Sequence, residues 1–193
     1  MSLQGKIIIL TAPSGSGKTT LANHLLQTFD RLSFSVSATT RKPRPGEIHG
    51  REYYYVSQDD FRRMIREDEL FEYQEVYDNQ YYGTLMSEIQ RIWREGKVAL
   101  FDIDVKGAQL VEQRGYKNVL TIYVKASSLE VLRKRLTGRG TESEEAIQKR
   151  LHRAAEELEY AKYFDYVITN DNLALAKKVV GLIVDDFIYS DIF

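Results

Sequence analysis

The chain has 193 residues, 43% of them hydrophobic, and its 27 Lys+Arg against 28 Asp+Glu leave a formal net charge of −1. That length suits one domain with a sizeable core, or a core with an inserted lobe, and so balanced a charge excludes any global attraction to nucleic acid or anionic lipid. The absence of cysteine excludes disulfides, thiolate zinc sites and thiol nucleophiles.

In chain order, Ile7-Ile8-Ile9-Leu10 predicts a short buried strand. It starts too early to leave room for a signal peptide, and no apolar run approaches the ~18–20 residues of a membrane span, so the expected location is cytoplasmic with no membrane partner. Small residues and two glycines then let the backbone curl before a helix from 18 to about 29, with Leu21, Leu25 and Leu26 on one side. Strand, glycine-rich turn and Lys-Thr helix start are together the context of a P-loop. The main-chain N–H groups of such a loop converge on phosphate, the helix N-terminus adds a favourable dipole, Lys18 reaches the outer phosphates and Thr19 Oγ1 binds a magnesium ion. Ala12, Pro13, Ser14, Gly15, Ser16, Gly17, Lys18, Thr19 and Thr20 are therefore the expected contacts of a nucleoside triphosphate. The strict pattern has glycine where Ala12 stands.

An alternating run over 33–37 predicts a second strand. From about 37 to 83 the character changes to tyrosines, charges and two prolines, which reads as a lobe inserted into a core of 1–36 and 84–193. Within it, 39–47 is a loop stiffened by Pro43 and Pro45, and 51–56 a strand. Ser57 caps a helix running to about 67 with Phe61, Met64 and Ile65 on one face. Strands at 70–77 and 81–82 flank a turn at Asp78-Asn79. Thr84 then reads as the N-cap of a helix carrying Ile89, Ile92 and Trp93 and stopping near Gly96.

A strand over 97–104, a helix from about 106 to 113, a strand over 119–124 and a helix over 129–136 continue a βαβ alternation. Residues 138–142 break it, followed by a helix from about 143 to 160, a strand over 166–169 and a last helix from 173 to about 189. That last helix carries Val179, Val180, Ile183, Val184 and Phe187 on its apolar side. The fold expected is α/β: a parallel sheet of about five strands with helices on both faces, plus the lobe. His24, His49 and His152 fall in no ligand spacing and are expected in packing or solvated roles.

Three further constellations carry chemistry. Asp102 and Asp104 stand at the carboxyl end of a predicted strand, where open α/β sheets bind ligands, and the spacing of two puts them on one face. Arg41 and Arg44, three apart on the stiffened loop, offer guanidinium forks to a second phosphate, with Tyr53 and Tyr82 as neutral donors. Arg135, Arg139 and Arg150 are spaced across the break at 138–142, where glycines would let a lid of about 138–145 close on a transferring phosphate. The alternative for these arginines is surface pairing with Glu142, Glu144 or Glu145.

These residues resemble the guanylate kinase family over nearly the whole chain. The carriers are A-P-S-G-S-G-K-T at 12–19, S-V-S-A-T-T-R-K-P-R-P-G-E at 35–47, G-R-E-Y-Y-Y-V at 50–56, Y-Y-G-T at 81–84, D-I-D-V-K-G at 102–107 and R-L-T-G-R-G-T-E at 135–142. The resemblance implies that Arg41, Arg44, Tyr53 and Tyr82 hold the phosphate of GMP and that Ser37, Glu72 and Thr84 read guanine. Guanine presents N1–H and N2–H₂ side by side to a carboxylate, whereas adenine has an acceptor at N1 and nothing at N2. It further implies in-line transfer from MgATP to GMP and to dGMP, with the preference between them left open, and with Lys18, Arg41, Arg135, Arg139 and Arg150 neutralising charge. Mg²⁺ would arrive with ATP on Thr19, with Asp102 a partner through water; which of Asp102 and Asp104 serves metal and which GMP stays open, as does the oligomeric state. Two other readings share the pattern: a non-catalytic binding module of the same fold, and a relative acting on ribose 1,5-bisphosphate.

Overall fold

The computed structural model describes residues 5–77, 79–138 and 143–190. It contains two sheets that share one cleft. The larger is built from β1 (Ile7–Thr11), β2 (Leu32–Phe34), β7 (Val98–Asp102), β8 (Val119–Lys125) and β9 (Tyr166–Thr169), all parallel in the order β2-β7-β1-β8-β9. Every residue of β1 is buried, as expected of a central strand covered on both faces. Helices α1 (Lys18–Thr28) and α7 (Leu173–Tyr189) close one face over Ile8, Leu10, Leu100 and Ile122. Helices α3 (Met86–Arg94) and α4 (Val105–Gln113) close the other over Ile7, Ile9, Ala99 and Phe101. Helices α5 (Leu129–Thr137) and α6 (Glu144–Leu158) pack on each other through Leu132, Leu136, Ile147 and Ala154.

The smaller sheet has the order β4-β3-β6-β5, from β3 (Ser37–Thr39), β4 (Tyr54–Tyr55), β5 (Leu70–Tyr77) and β6 (Gln80–Leu85), with α2 (Gln58–Arg66) against it. Its core is small: Ala38, Phe61 and Leu70 are buried among Tyr54, Val56, Met64 and Tyr81. Phe61 has no exposed surface, so Phe61→Ala should cost about 3–5 kcal/mol and act first on this sheet. Ser57 caps α2 as predicted, its hydroxyl accepting from the Asp60 N–H at 3.0 Å.

Several local expectations are corrected by longer-range pairing. The alternating run at 33–37 is not one strand: Leu32–Phe34 pairs with β7 in the large sheet, and Ser37 opens β3 in the small one. The strand expected over 51–56 shortens to Tyr54–Tyr55, because residues 50–52 turn back under Glu52 and Gly50. Thr84 lies inside β6 rather than capping α3; its hydroxyl is taken by Glu72, and α3 begins after Leu85 with no side-chain cap. β7 ends at Asp102, and Asp104 instead N-caps α4, accepting from the Gly107 N–H at 3.0 Å. α6 ends at Leu158, short of Tyr160. On α7 the buried residues are Ala176, Val180, Val184 and Ile188, and Val179 faces outward. Of the turn at 78–79, Asp78 lies outside the described residues; Asn79 takes a left-handed φ of 59°.

Candidate active site

The site is a cleft of about 520 Å³ between the carboxyl ends of the large sheet and one face of the small one. That volume suits a pair of small ligands better than a peptide groove. One wall is the loop that links β1 to α1. Gly15 and Gly17 have φ of 91° and 92°, a region open to glycine and costly for residues with a Cβ. Gly17 is doubly constrained, since a Cβ there would fall 2.3 Å from Asn170 Nδ2. That amide, 3% exposed at the end of β9, donates to the Ser16 carbonyl at 2.8 Å and so holds the loop from behind.

At the mouth of the loop, Lys18 pairs with Asp102 across the cleft, and the two side chains are 21% and 25% exposed. Arg150 from α6 donates to Ser14 Oγ at 2.5 Å. Three residues on, Arg153 bonds Asp104 Oδ2 at 3.1 Å and Glu157 Oε1 at 2.8 Å. Burial raises the carboxyl of Glu157 above its ordinary pKa, and Arg153 opposes that shift.

The opposite wall is set by strand register. Ser37 pairs with Thr84, and Thr84 with Glu72, so three side chains from three strands form one row. Two residues along, Thr39, Tyr82 and Gln74 form a second row on the same face. Glu72 is 4% exposed and accepts from Thr84 Oγ1 at 2.7 Å. Burial pushes its carboxyl up to about 7, against the Thr84 hydrogen bond and with the help of the Asp104 charge. Gln74 donates to Asp104 Oδ1, while Gln74 Oε1 has no hydrogen-bond partner.

Above these rows, the Tyr53 and Tyr82 rings meet edge to face at 5.8 Å. Burial and the Asp102 charge push the Tyr53 hydroxyl up to about 12, so it remains a neutral donor. Arg44 reaches the cleft. Arg41 does not line it: its guanidinium forks onto both oxygens of Glu47 at 2.9 and 3.0 Å and lies 5.4 Å from the centre of the Tyr53 ring. Arg41 and a hydrogen bond from the Arg44 N–H hold the Glu47 carboxyl well down, to about 2.

Of the residues singled out from sequence, Ala12, Pro13, Ser14, Gly15, Gly17, Lys18, Thr19, Thr20, Ser37, Arg44, Tyr53, Glu72, Tyr82, Asp102, Asp104 and Arg150 line one cleft. Ser16 and Thr84 lie buried immediately behind its surface. Arg135 is turned away, donating to the Asn170 carbonyl at 2.6 Å. Arg139 and half of the expected lid, residues 139–142, lie outside the described residues. The surface pairing weighed for the lid arginines is made by Arg133, whose guanidinium meets Glu144 at 2.5 Å. Gln74, Arg153, Glu157 and Asn170 were not anticipated. Gln74 shares a strand face with Glu72 and Arg153 a helix face with Arg150, so spacing carried a signal for both; Asn170 had only its place at a strand end.

Comparison with known proteins agrees with this geometry. The family model described as guanylate kinase matches residues 4–186. This chain belongs to the guanylate kinase family. A guanylate kinase of Porphyromonas gingivalis is 45% identical over 184 residues, covering 95% of this chain and 98% of that protein. One from Salinibacter ruber is 47% identical over 167 residues, 86% of this chain and 88% of that one. The crystal structure of guanylate kinase from Anaplasma phagocytophilum superposes with a TM-score of 0.77 at 28% identity, covering 98% of this chain and 89% of that one. The known reaction of guanylate kinases is ATP:GMP phosphotransfer, and the chain is a nucleoside monophosphate kinase.

The donor set also bears on the metal that guanylate kinases use with ATP. Among the described residues no three His, Asp or Glu side chains are grouped to hold an ion. The hydroxyl of Thr19 and the carboxylate of Asp102 both line the cleft beside the loop. That fits a Mg²⁺ ion bound mostly by phosphate oxygens and water. Among the described residues no helix is long and apolar enough to cross a membrane.

Proposed function

We propose that the cleft holds ATP on the β1–α1 loop and GMP on the small sheet, with the two phosphate ends meeting beneath α6. The observation that carries this is that the loop and Ser37 and Glu72 of the opposite row line the same cavity, with Thr84 of that row buried just behind them. The γ-phosphorus forms a bond to an oxygen of the GMP phosphate while its bond to the bridging oxygen of ADP breaks. The acceptor is already anionic near neutral pH, so no strong general base is required, and the protein supplies alignment and charge neutralisation. Lys18 leaves Asp102 for the outer phosphates of ATP. Arg44, Tyr53 and Tyr82 hold the acceptor phosphate, and Arg41 lies behind them, stiffened by Glu47. Arg150 and Arg153 stand over the point of transfer. Arg139, with the lid of about 138–145, and Arg135 behind it complete the charge set in this reading. Thr19 and, through water, Asp102 would hold a Mg²⁺ ion brought with ATP, which would screen the phosphate charge.

On the acceptor side, an ionised Glu72 takes both N1–H and N2–H₂ of guanine, and the hydroxyls of Ser37 and Thr84 flank it. AMP would deprive that buried carboxylate of both base donors, at a cost of about 1–3 kcal/mol for each lost partner, and rejection can reach ~10⁴. dGMP presents the same guanine and phosphate as GMP, so it should serve as an acceptor too. A sugar bisphosphate would leave the row empty. The test is coupled ADP release with GMP, dGMP, AMP and ribose 1,5-bisphosphate. Turnover of AMP equal to that of GMP would remove Glu72 as the base reader. A cytoplasmic setting, where ATP is supplied, fits this reading.

A further inference from the structure

Glycine holds a helix less well than alanine, because it gives up more backbone freedom on folding, so a glycine inside a helix calls for a reason. Gly107 is the third residue of α4 and is buried, and its φ lies outside the left-handed range that Gly15 and Gly17 occupy. Its conformation is therefore one that alanine adopts better. The reason lies across the packing interface. A Cβ on Gly107 would fall 3.1 Å from Glu72 Oε2 and 3.3 Å from Ile103 Cβ, tighter than ordinary contact, so a neighbour would have to yield. Glu72 has little freedom to do so, since it is buried and its Oε1 accepts from Thr84 Oγ1 at 2.7 Å.

The strand that carries Glu72 is tied to α4 on both sides of it. The register of β5 against β6 shifts between Leu70 and Glu72, and irregularities of this kind re-aim side chains beside functional sites. Phe71, at the shift, is buried in the core with Ala108 and Val111 of α4. Two residues beyond Glu72, the Gln74 amide donates to Asp104 Oδ1, the same oxygen that takes the Gly107 N–H at 3.0 Å. Asp104 Oδ2 is held by Arg153 at 3.1 Å, which fixes the carboxylate from its other side. Glu72 Oε2 thus rests on the first turn of α4, between two ties, over a residue with no side chain.

We propose that Gly107 and Gln74 are positioning residues that determine specificity for the base. Gly107 by the room it leaves, and Gln74 by its tie to Asp104, set the place of Glu72 Oε2 so that both carboxylate oxygens meet the adjacent N1–H and N2–H₂ of guanine. Both act through Glu72, and the inference rests on the reading of Glu72 as the guanine acceptor. Two parallel hydrogen bonds need both oxygens in place at once, so a shift of a few tenths of an ångström lengthens at least one of them.

The experiment is steady-state kinetics of the full chain, varying GMP at saturating ATP and ATP at saturating GMP. Gly107→Ala should raise KM for GMP by roughly 10-fold, with KM for ATP unchanged. Gln74→Met, equal in length but without the donor, should raise KM for GMP in the same direction. The decisive readout is the double variant. Glu72→Ala removes the carboxylate that Gly107 accommodates, so adding Gly107→Ala to it should raise KM for GMP little further, whereas damage to α4 itself would persist in full. A full additive effect in that background overturns the proposal, as does an equal rise in KM for ATP or a Gly107→Ala enzyme with native KM for GMP. A native KM for GMP in Gln74→Met removes Gln74 from the assignment. If Glu72→Ala alone leaves KM for GMP native, the reading of Glu72 fails, and the inference falls with it.

Discussion

Thr84 Oγ1 donates a 2.7 Å hydrogen bond to Glu72 Oε1 across neighbouring strands, and both side chains are shut off from solvent. The bond favours the ionised carboxyl, but burial outweighs it and the Glu72 pKa rises to about 7. Between the ordinary carboxylate range and about 7 the folded protein thus holds a proton that the unfolded chain releases, so stability without ligand falls as pH rises through this window and levels off above it. Guanine, by contrast, needs the ionised form. Its affinity should rise with pH up to about 7 and then flatten, with one proton released per guanine bound at pH 6. Calorimetry in buffers of different ionisation enthalpy measures that proton, and guanosine, which has no phosphate to titrate, isolates the base. Glu72→Gln should abolish both pH trends and weaken guanosine binding by roughly 10-fold or more.

Lys18 and Asp102 neutralise each other across the open cleft. Lys18→Ala removes the cation assigned to the transferring phosphate, and turnover should fall by roughly 10³-fold or more. GMP affinity, which rests on the other wall, should stay within a few-fold of native. Single-turnover rates with saturating substrates, alongside GMP titration, separate the two effects. A Lys18→Ala enzyme with near-native turnover would take Lys18 out of the mechanism.

The core strands, the loop into α1 and the Asp102–Asp104 pair are legible in the chain because their signals are local: runs of apolar residues, glycines beside Lys-Thr, and a spacing of two. Thr84 shows where local rules fail. A hydroxyl just before an amphipathic helix reads as a cap, yet the register of β5 and β6 claims it for Glu72, twelve residues back. Asn170 is harder still, for its partner carbonyl lies 154 residues away and no spacing rule joins them. Arg41 reads as a phosphate ligand by type and position, yet it pairs with Glu47, which depends on how Gly46 turns the loop back at a φ of 86°.

That pairing yields a prediction about GMP alone. Glu47 grips Arg41 with both oxygens, accepts from Tyr55 Oη at 2.8 Å and from the Arg44 N–H at 2.7 Å, so one carboxylate shapes the whole arginine loop. Because its carboxyl is held down to about 2, the arrangement persists across the working pH range and loosens only as pH falls through that value. Glu47→Gln keeps the size and loses the charge. KM for GMP should rise by roughly 10-fold while KM for ATP is unchanged. Equal rises in both would mean that the substitution disturbs the cleft at large.

Asn170 makes the opposite prediction, for ATP alone. Its amide is the only described group holding the Ser16 carbonyl, and it sits where any Gly17 side chain would go. Asn170→Ala leaves that buried carbonyl unpaired, at a cost of about 1–3 kcal/mol, and frees the loop to leave the conformation that gathers its N–H groups. The midpoint of thermal unfolding should drop, and affinity for an ATP analogue should fall by roughly 10-fold, with GMP affinity intact as the internal control. Gly17→Ala should fare worse, because it adds left-handed backbone strain to the collision with the amide. Combining it with Asn170→Ala should relieve the collision but not the strain, so the double variant should recover stability only in part. Full recovery would show that φ at Gly17 carries no cost, and no recovery at all would show that the amide was never the obstacle.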